Sequence, residues 1–136
     1  MNVIDEYNRK KRTAEEAVQG VRSGDWVEYT FCHGIPPAMD QALAARKGEL
    51  RDVKIRGMLA LRPLDVVLSD PEHESFTYTS WHFSGLERRW YDQGLICYDP
   101  LLYRNKPRHY RNTLDVDVAM VAVTPMDKHG YFNFSL

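Results

Sequence analysis

A strand pattern runs directly into a helix start in the segment Trp26-Val27-Glu28-Tyr29-Thr30-Phe31-Cys32-His33-Gly34-Ile35-Pro36-Pro37. The first six residues are mostly aromatic or β-branched, which favours an extended strand. Residues 32–36 form a tight loop, and Pro37 suits the first turn of a helix because its missing N–H would be unpaired there anyway. A strand that leads at once into a helix is the unit from which parallel α/β sheets are built.

The same alternation extends along the rest of the chain. Residues 3–21 have helical periodicity and contain a capping box, in which the Thr13 hydroxyl and the Glu16 carboxylate each accept from the other's backbone amide. A helix is predicted from Pro37 to about Arg46 and another at 86–93. Segment 65–68 suits a short helix or a strand equally. Further strands are predicted at 53–61, 76–83, 95–98, 116–123 and from 131 to 134. Segment 116–123 has the pattern of a buried strand. We therefore expect an α/β fold with a mostly parallel sheet and crossover helices.

Composition limits the classes of function. The 136 residues contain no repeat, low-complexity tract or long linker, so residues 1–136 are predicted to form one domain. The 18 basic and 19 acidic residues give a net charge of −1, which argues against a general nucleic-acid-binding surface. A basic cluster at 104–111 is interpreted as a solvated connecting segment rather than a phosphate-contacting patch.

The location of the protein is predicted from its cysteines and its apolar runs. Cys32 and Cys97 are too few for a disulfide scaffold and have no zinc-binding spacing, so we expect two reduced thiols in a cytoplasmic protein. The N-terminal segment lacks the apolar region of a signal peptide, and no apolar run approaches the roughly 20 residues that span a bilayer. We expect no membrane association.

Two loops are candidates for ligand binding because both follow predicted strands, and ligands of open α/β sheets bind at the carboxyl ends of strands. The first contains Gly34, Ile35 and Pro36, and the alternative is an ordinary strand-to-helix turn. The second is Thr124-Pro125-Met126-Asp127-Lys128-His129-Gly130-Tyr131-Phe132. In that loop His129 faces a crevice, or else Asp127 and His129 serve only a hairpin or crossover turn.

Other chemistries receive weaker support from the sequence. His82 lies between two aromatic residues, and it either contacts substrate or is buried in the core with its ring nitrogens hydrogen-bonded. Cys32 and His33 invite a nucleophile interpretation, but adjacent strand residues point in opposite directions. The five histidines show no metal-binding spacing, so no metal site is predicted, and no glycine-rich phosphate motif or serine-hydrolase elbow is present.

Three stretches, in this order and spacing, carry a resemblance over nearly the whole chain. They are Thr13-Ala14-Glu15-Glu16-Ala17-Val18 with Arg22-Ser23-Gly24-Asp25-Trp26-Val27; Gly34-Ile35-Pro36 with Ala42-Leu43-Ala44-Ala45-Arg46 and Leu50-Arg51-Asp52-Val53-Lys54-Ile55; and Val116-Asp117-Val118-Ala119 with the segment from Thr124 to Phe132. Together they resemble the N-terminal domain of the acetyl-CoA hydrolase/transferase family, which includes the 4-hydroxybutyrate and butyryl-CoA:acetate CoA-transferases.

The resemblance implies a CoA-transferase-like α/β fold and transfer of CoA between an acyl-CoA and a small carboxylate. In that family a glutamate carboxylate attacks the acyl-CoA and an enzyme-bound glutamyl-CoA thioester follows. Both this glutamate and most of the CoA-binding surface belong to the carboxyl-terminal part of the family's longer proteins, so we expect the catalytic domain to lie outside residues 1–136. By position, the resemblance assigns substrate contact to Gly34, Ile35, Pro36, Asp127, His129 and Gly130.

Two other functions remain open at this stage. The chain is a non-catalytic α/β module that pairs with a separate catalytic chain, or a free-standing metal or thiol enzyme that uses His33 and Cys32. A parallel sheet interrupted near Phe134 is expected to leave an open edge or an apolar face. We therefore expect a homo-oligomer, docking to the carboxyl-terminal half, or limited stability.

Overall fold

The computed structural model of the chain describes residues 2–134. Its helices are α1 (Val3–Lys10), α2 (Ala14–Ala17), α3 (Pro37–Ala44), α4 (Asp65–Leu68), α5 (Gly85–Asp92) and α6 (Lys106–Asn112). Its strands are β1 (Trp26–Phe31), β2 (Val53–Met58), β3 (Phe76–Ser80), β4 (Cys97–Tyr98) and β5 (Val118–Met120). Single 3-10 turns occur at Val18–Gly20, Cys32–Gly34 and Tyr103–Asn105.

The five strands form one sheet in the order β4-β3-β2-β1-β5, and every neighbouring pair is parallel. This confirms the predicted α/β class with a parallel sheet and crossover helices. The strands from β1 to β4 advance in one direction across the sheet, and β5 returns to the other side of β1. Right-handed crossovers therefore place α3, α4 and α5 on one face and α6 on the opposite face.

The two faces differ in composition. The face that packs against α3, α4 and α5, here called the covered face, carries Val27 and Tyr29 of β1 together with Ile55 and Tyr78. These side chains join the hydrophobic core with residues of the three helices. The opposite face, here called the α6 face, carries the alternate residues, among them Glu28 and its register partner Arg56. Helix α6 packs on this second face, where Tyr110 donates a hydrogen bond to Glu28.

Several local predictions are confirmed by the caps and turns. Thr13 and Glu16 form the predicted capping box, and Pro37 opens α3. Gly24 has a φ of +89° in the turn that Asp25 N closes by donating to Arg22 O. The undecided segment at 65–68 is helical.

Other local predictions are wrong. The helical stretch predicted over 3–21 is interrupted after Lys10, because the Thr13 capping box begins a new helix. The last strand was expected to be buried over 116–123 but spans only Val118–Met120. It lies at the edge of the sheet, so Val121 and Val123 remain 38% and 39% exposed.

The segment at 131–134 does not start a further strand of the sheet. A single antiparallel bridge joins Val123 to Phe134, and Thr124 N donates to Asn133 O at 2.9 Å. The chain therefore turns back on itself as a hairpin, which is the structural alternative that the sequence left open.

Candidate functional site

The strand order reverses between β1 and β5, which creates a switch point where two loops diverge from neighbouring strands. In open α/β sheets, ligands bind at this position beyond the carboxyl ends of the strands. The loop after β1 begins at Cys32, and the segment after β5 begins at Val121. Ala122 N donates to Gly34 O at 2.8 Å, so the two predicted ligand-binding loops start from the same edge of the sheet.

The loop after β1 is firmly built into the domain. Gly34, Ile35 and Pro36 are all buried, and the Ile35 side chain is 1% exposed within the hydrophobic core. Arg62, from the loop after β2, donates through Nη2 to Ile35 O at 3.0 Å. Because the Ile35 side chain points into the core, any contact between this residue and substrate falls to its backbone. Substrate contact by this loop stays a prediction.

The backbone at this edge is strained at two adjacent points. Cys32 and Leu59 have φ values of +53° and +50°, a left-handed conformation that residues with a Cβ seldom adopt. Each follows directly after a strand, and the last residues of those strands, Phe31 and Met58, are register partners. The two strained residues therefore lie side by side at the carboxyl ends of β1 and β2, which is where proteins of this fold class bind their ligands.

The loop after β5 is organised by Asp127. Its carboxylate accepts from the backbone amides of His129 at 2.8 Å and Tyr131 at 2.9 Å, while its own N–H donates to Tyr131 O. Gly130 has a φ of +91°, and a Cβ at this position would lie 2.7 Å from Val3 Cγ2. Asp127 and Gly130 thus shape the loop and seat it against α1, while His129 is exposed. Contact of Asp127, His129 and Gly130 with substrate stays a prediction.

His82 and the two cysteines do not assemble into a reactive group. His82 is exposed, so the alternative of a histidine satisfied within the core is wrong. Cys32 is half-buried and Cys97 is exposed, and both thiols are free. Within residues 2–134, no three His, Cys, Asp or Glu side chains converge in a way that would hold a metal ion. None of the described helices is long and apolar enough to cross a membrane.

A cluster of charged and aromatic side chains lies between α6 and the sheet. Glu28 accepts from the Tyr110 hydroxyl and lies 3.7 Å from Arg56 Nη1, measured from Glu28 Oε2. Arg56, which is 5% exposed, donates to Asp115 O at 2.8 Å and stacks its guanidinium 3.8 Å from the Trp26 ring centroid. These contacts hold α6 and the chain that follows it against the sheet.

Lys106 belongs to the same cluster. Its ammonium lies 5.5 Å from the Trp81 ring centroid and 5.7 Å from that of Tyr110, and it contacts Met58 Sδ at 3.5 Å. The interpretation of segment 104–111 as simply solvated is therefore wrong for Lys106 and Tyr110, which are half-buried against the sheet.

Burial dominates the electrostatics of the cluster. It raises the pKa of Glu28, although the Tyr110 hydrogen bond and the charges of Lys106 and Arg56 oppose the rise. Burial likewise lowers the pKa of Lys106, against the attraction of Glu28. The Tyr110 pKa is raised by burial and then by its bond to Glu28. Each of the three groups is thus biased towards its neutral form.

The sequence did not predict this cluster, because its members come from β1, β2, the end of β3 and α6. One partial signal was present: the alternation in β1 places Glu28 on the face opposite Val27 and Tyr29. A carboxylate on the partly buried side of a strand requires partners from elsewhere in the chain.

The comparisons with known proteins agree with the resemblance. The family profile described as "Acetyl-CoA hydrolase/transferase N-terminal domain" matches residues 1–136. The chain is 48% identical, over 98% of its length, to a butyryl-CoA:acetate CoA-transferase of Anaerostipes caccae. It is 41% identical, over 97% of its length, to a probable butyrate:acetyl-CoA coenzyme A-transferase of Syntrophomonas wolfei. In each case the chain spans 30% of the relative's length.

Among solved structures, RipA from Yersinia pestis superposes with a TM-score of 0.80 at 26% identity, over 97% of this chain and 33% of RipA. The shared fold thus extends over 97% of this chain. From the profile match and the identities to the CoA-transferases, the chain belongs to the acetyl-CoA hydrolase/transferase family and corresponds to its N-terminal domain.

Proposed function

We propose that this chain is the N-terminal part of a CoA-transferase that moves CoA between an acyl-CoA and a small carboxylate. The observation that carries the proposal is the 48% identity to a butyryl-CoA:acetate CoA-transferase over 98% of the chain. The open switch point between β1 and β5 supports it, because that edge is where α/β sheets bind their ligands. Free thiols at Cys32 and Cys97 are consistent with a cytoplasmic enzyme.

The proposed chemistry is covalent catalysis by a carboxylate outside residues 1–136. A glutamate oxygen attacks the thioester carbonyl of the acyl-CoA, and the CoA thiolate leaves to give a mixed anhydride. The thiolate then attacks the glutamyl carbonyl, which releases the carboxylate of the first substrate and leaves a glutamyl-CoA thioester. The same two steps in reverse load the second carboxylate, so no oxidant or other co-reactant is consumed.

Residues of this chain are proposed to line the substrate side of the cleft. They belong to the two loops at the switch point: Gly34, Ile35, Pro36, Asp127, His129 and Gly130. In this proposal the first loop offers backbone groups, and Asp127 keeps the second loop in place for the exposed His129. Coenzyme A itself is held mainly by the remainder of the enzyme.

An apolar surface supports docking to that remainder. Helix α1 and the loop after β5 form a cavity of about 330 Å³ lined by Val3, Tyr7, Met126, Gly130 and Phe132, with parts of Glu6 and Lys10. In the hairpin after β5, Val123, Tyr131 and Phe134 are 39%, 70% and 71% exposed. Exposed apolar side chains concentrated in one region are typical of an interface. The same surface favours a second candidate, a non-catalytic subunit that pairs with a separate catalytic chain or with itself.

Reconstitution tests the proposal. The purified chain is mixed with the carboxyl-terminal remainder of the Anaerostipes caccae relative, and exchange of CoA between butyryl-CoA and acetate is measured. The relative's own N-terminal fragment serves as the matched positive control. We expect no exchange from either part alone, exchange from the mixture, and a mass increase of one CoA on the remainder only. Exchange by this chain alone would overturn the proposal, and a stable complex without exchange would favour the non-catalytic subunit.

A further inference from the structure

The two edges of the sheet differ in how they are protected against pairing with another strand. The edge strand β4 comprises only Cys97 and Tyr98, and Pro100 follows it closely. Short edge strands and nearby prolines are means by which natural sheets avoid pairing with another chain. In addition, the Tyr98 ring packs on Phe83 with ring centroids 4.4 Å apart. The edge at β4 is therefore protected.

The edge at β5 has none of these features. Segment 116–123 contains no proline, glycine, lysine or arginine, and every residue in it except Asp117 is apolar. The Asp117 carboxylate accepts from Trp26 N at 2.8 Å, so its charge is directed towards β1 rather than away from the sheet. Val116 and Val121 are exposed. An apolar edge without such protection is a surface that pairs with a further strand.

The backbone of β5 shows which groups are available for this pairing. Asp117 N donates to Trp26 O at 3.0 Å. Because the N–H and C=O groups of a strand alternate between its two sides, those of Val118 point away from β1. Within residues 2–134 no strand pairs with this outer side, since the hairpin bridge at Val123 lies beyond the end of β5. Val118 therefore offers one donor and one acceptor to another strand.

The side chains of β5 have the composition of an interior strand. An almost continuously apolar run is typical of parallel strands that have a neighbour on each side and cover on both faces. Met120 lies on the covered face with its register partner Tyr29 and is almost inaccessible. Ala119 lies on the α6 face and is exposed. In the described residues, β5 thus combines the sequence of an interior strand with the position of an edge strand.

The carboxyl-terminal remainder of the family's longer proteins is the source of a strand for this edge. The chain corresponds to the N-terminal domain and spans 30% of the Anaerostipes caccae relative, so the larger part of that protein lies outside the match. In doubly wound sheets, strands added after the reversal of strand order continue outward on the second side, which here is beyond β5. A second copy of this chain is the competing occupant, but its own β5 offers only three residues for pairing.

We propose that the outer edge of β5 is an interaction surface that accepts a strand of the carboxyl-terminal remainder, paired through the N–H and C=O groups of Val118. β5 then becomes an interior strand, and the sheet continues into the remainder. The inference deepens the proposed function and rests on it for the identity of the remainder. It differs from docking at the apolar cavity of α1, because here the contact is made by backbone groups.

Hydrogen exchange at single-residue resolution tests the pairing. The 136-residue chain is measured alone and mixed with the carboxyl-terminal remainder of the Anaerostipes caccae relative. We expect the Val118 amide to exchange at least about tenfold more slowly in the mixture, because it gains an acceptor there. The Ala119 amide faces β1 in both states and should change less. Unchanged exchange at Val118 overturns the inference.

Three substitutions test whether the backbone makes the contact. Val118→Pro removes the outward N–H and should weaken association with the remainder by about tenfold or more. Val118→Ala shortens the side chain, keeps the N–H and should weaken association less. Tyr98→Pro is the matched control on the opposite edge: Asp99 N donates to Ser80 O, so the Tyr98 N–H points away from β3, and its loss should leave association unchanged.

The variants are first checked for folding by circular dichroism and melting temperature. Equal association of a folded Val118→Pro and the natural chain overturns the inference. If Val118→Pro does not fold, the exchange of the Val118 amide in the natural chain decides.

Sedimentation identifies the occupant of the edge. A dimer of this chain in which Val118 is protected, with no further protection from the remainder, would assign the edge to a second copy and overturn the inference, as would the absence of any complex. Transfer of CoA by a mixture in which Val118 stays unprotected would refute this inference alone. Protection of Val118 without transfer of CoA would support the inference and count against the proposed function alone.

Discussion

On the covered face of the sheet, the buried Glu87 carboxylate accepts four hydrogen bonds. On the α6 face, Glu28 accepts one close hydrogen bond, from Tyr110, and its interactions with Arg56 and Trp81 are weaker. Glu87 receives the Tyr78 and Ser80 hydroxyls at 3.0 and 2.9 Å and the amides of Ala60 and Ser84 at 3.1 and 2.7 Å. Glu28 has the Tyr110 hydroxyl and the more distant Arg56. A carboxylate with all acceptors filled fixes structure, whereas one with spare capacity remains able to respond to a ligand or to pH.

The covered face also concentrates the apolar contacts. Its strands pack against α3, α4 and α5 with Tyr29, Ile55 and Tyr78 almost inaccessible. The α6 face instead carries Lys54, Arg56 and the three threonines of β1 and β3, with α6 as the helix packed on it. One side of the sheet therefore provides most of the stability, and the other provides charge. Substitutions on the covered face are therefore expected to lower the free energy of unfolding, whereas those on the α6 face are expected to change its dependence on pH.

The largest effect is expected from Glu87→Ala. The substitution leaves the buried Tyr78 hydroxyl and the amides of Ala60 and Ser84 without their acceptor, whereas the Ser80 hydroxyl still has His82 O. It should lower the free energy of unfolding by about 3 kcal/mol. Urea denaturation followed by circular dichroism measures the change. Glu72→Ala, in an exposed loop, is the matched control and should stay within about 0.5 kcal/mol. Similar stabilities for the two variants would contradict the structural role of Glu87.

A smaller loss is expected from Gly57→Ala in β2. A Cβ at Gly57 would lie 2.5 Å from the Tyr78 hydroxyl oxygen, and Tyr78 cannot move aside because it is buried and bonded to Glu87. Overpacking of this kind should cost about 2 kcal/mol. Gly20→Ala has no heavy atom within 4 Å of its Cβ and should be close to neutral. A neutral Gly57→Ala in the same denaturation experiment would show that the covered face tolerates added volume.

The sequence predicted the parts of this architecture that depend on local pattern. The capping box at Thr13, the proline at the start of α3 and the strands from β1 to β4 all follow from residues near one another in the chain. Burial of the last strand was overestimated because its apolar pattern resembles that of a central strand. Its position at the edge depends on a connection that crosses the whole sheet.

The sequence predicted candidate sites only where glycine and proline residues mark a loop. Gly34 and Gly130 mark loops that the sequence identifies, whereas the contact of Glu28 with Tyr110 joins residues 82 positions apart. The Ser84–Glu87 capping box was a readable local signal. Nothing local indicated that the Glu87 carboxylate would also receive Tyr78 and Ser80, since those contacts require β3 and α5 to be packed together.

The smallest expected effect distinguishes two carboxylates by the sign of their pH dependence: Glu28 on the α6 face and Asp70, which lies in the loop between α4 and β3. Burial raises the pKa of Asp70, but the amides of Ser75 and Phe76 and the Lys47 charge outweigh it, so the pKa ends below 3.8. The stability that Asp70 contributes is present above pH 3.8 and is lost as the pH falls through the folded pKa. For Glu28 the folded pKa lies above 4.5, because burial is the dominant cause. In the window above pH 4.5 the native state therefore holds the proton longer than the unfolded chain does, and stability falls as the pH rises.

Two substitutions isolate these contributions. Stability is measured by urea denaturation from about pH 3 to about pH 7 for the natural chain, Glu28→Gln and Asp70→Asn. The free energy of unfolding of the natural chain minus that of Asp70→Asn should increase as the pH rises towards 3.8. The corresponding difference from Glu28→Gln should decrease as the pH rises beyond 4.5. If both differences in unfolding free energy change with pH in the same direction, Glu28 is held in its ionised form as firmly as Asp70. In that case the carboxylate beneath α6 would be structural, like its counterparts on the covered face.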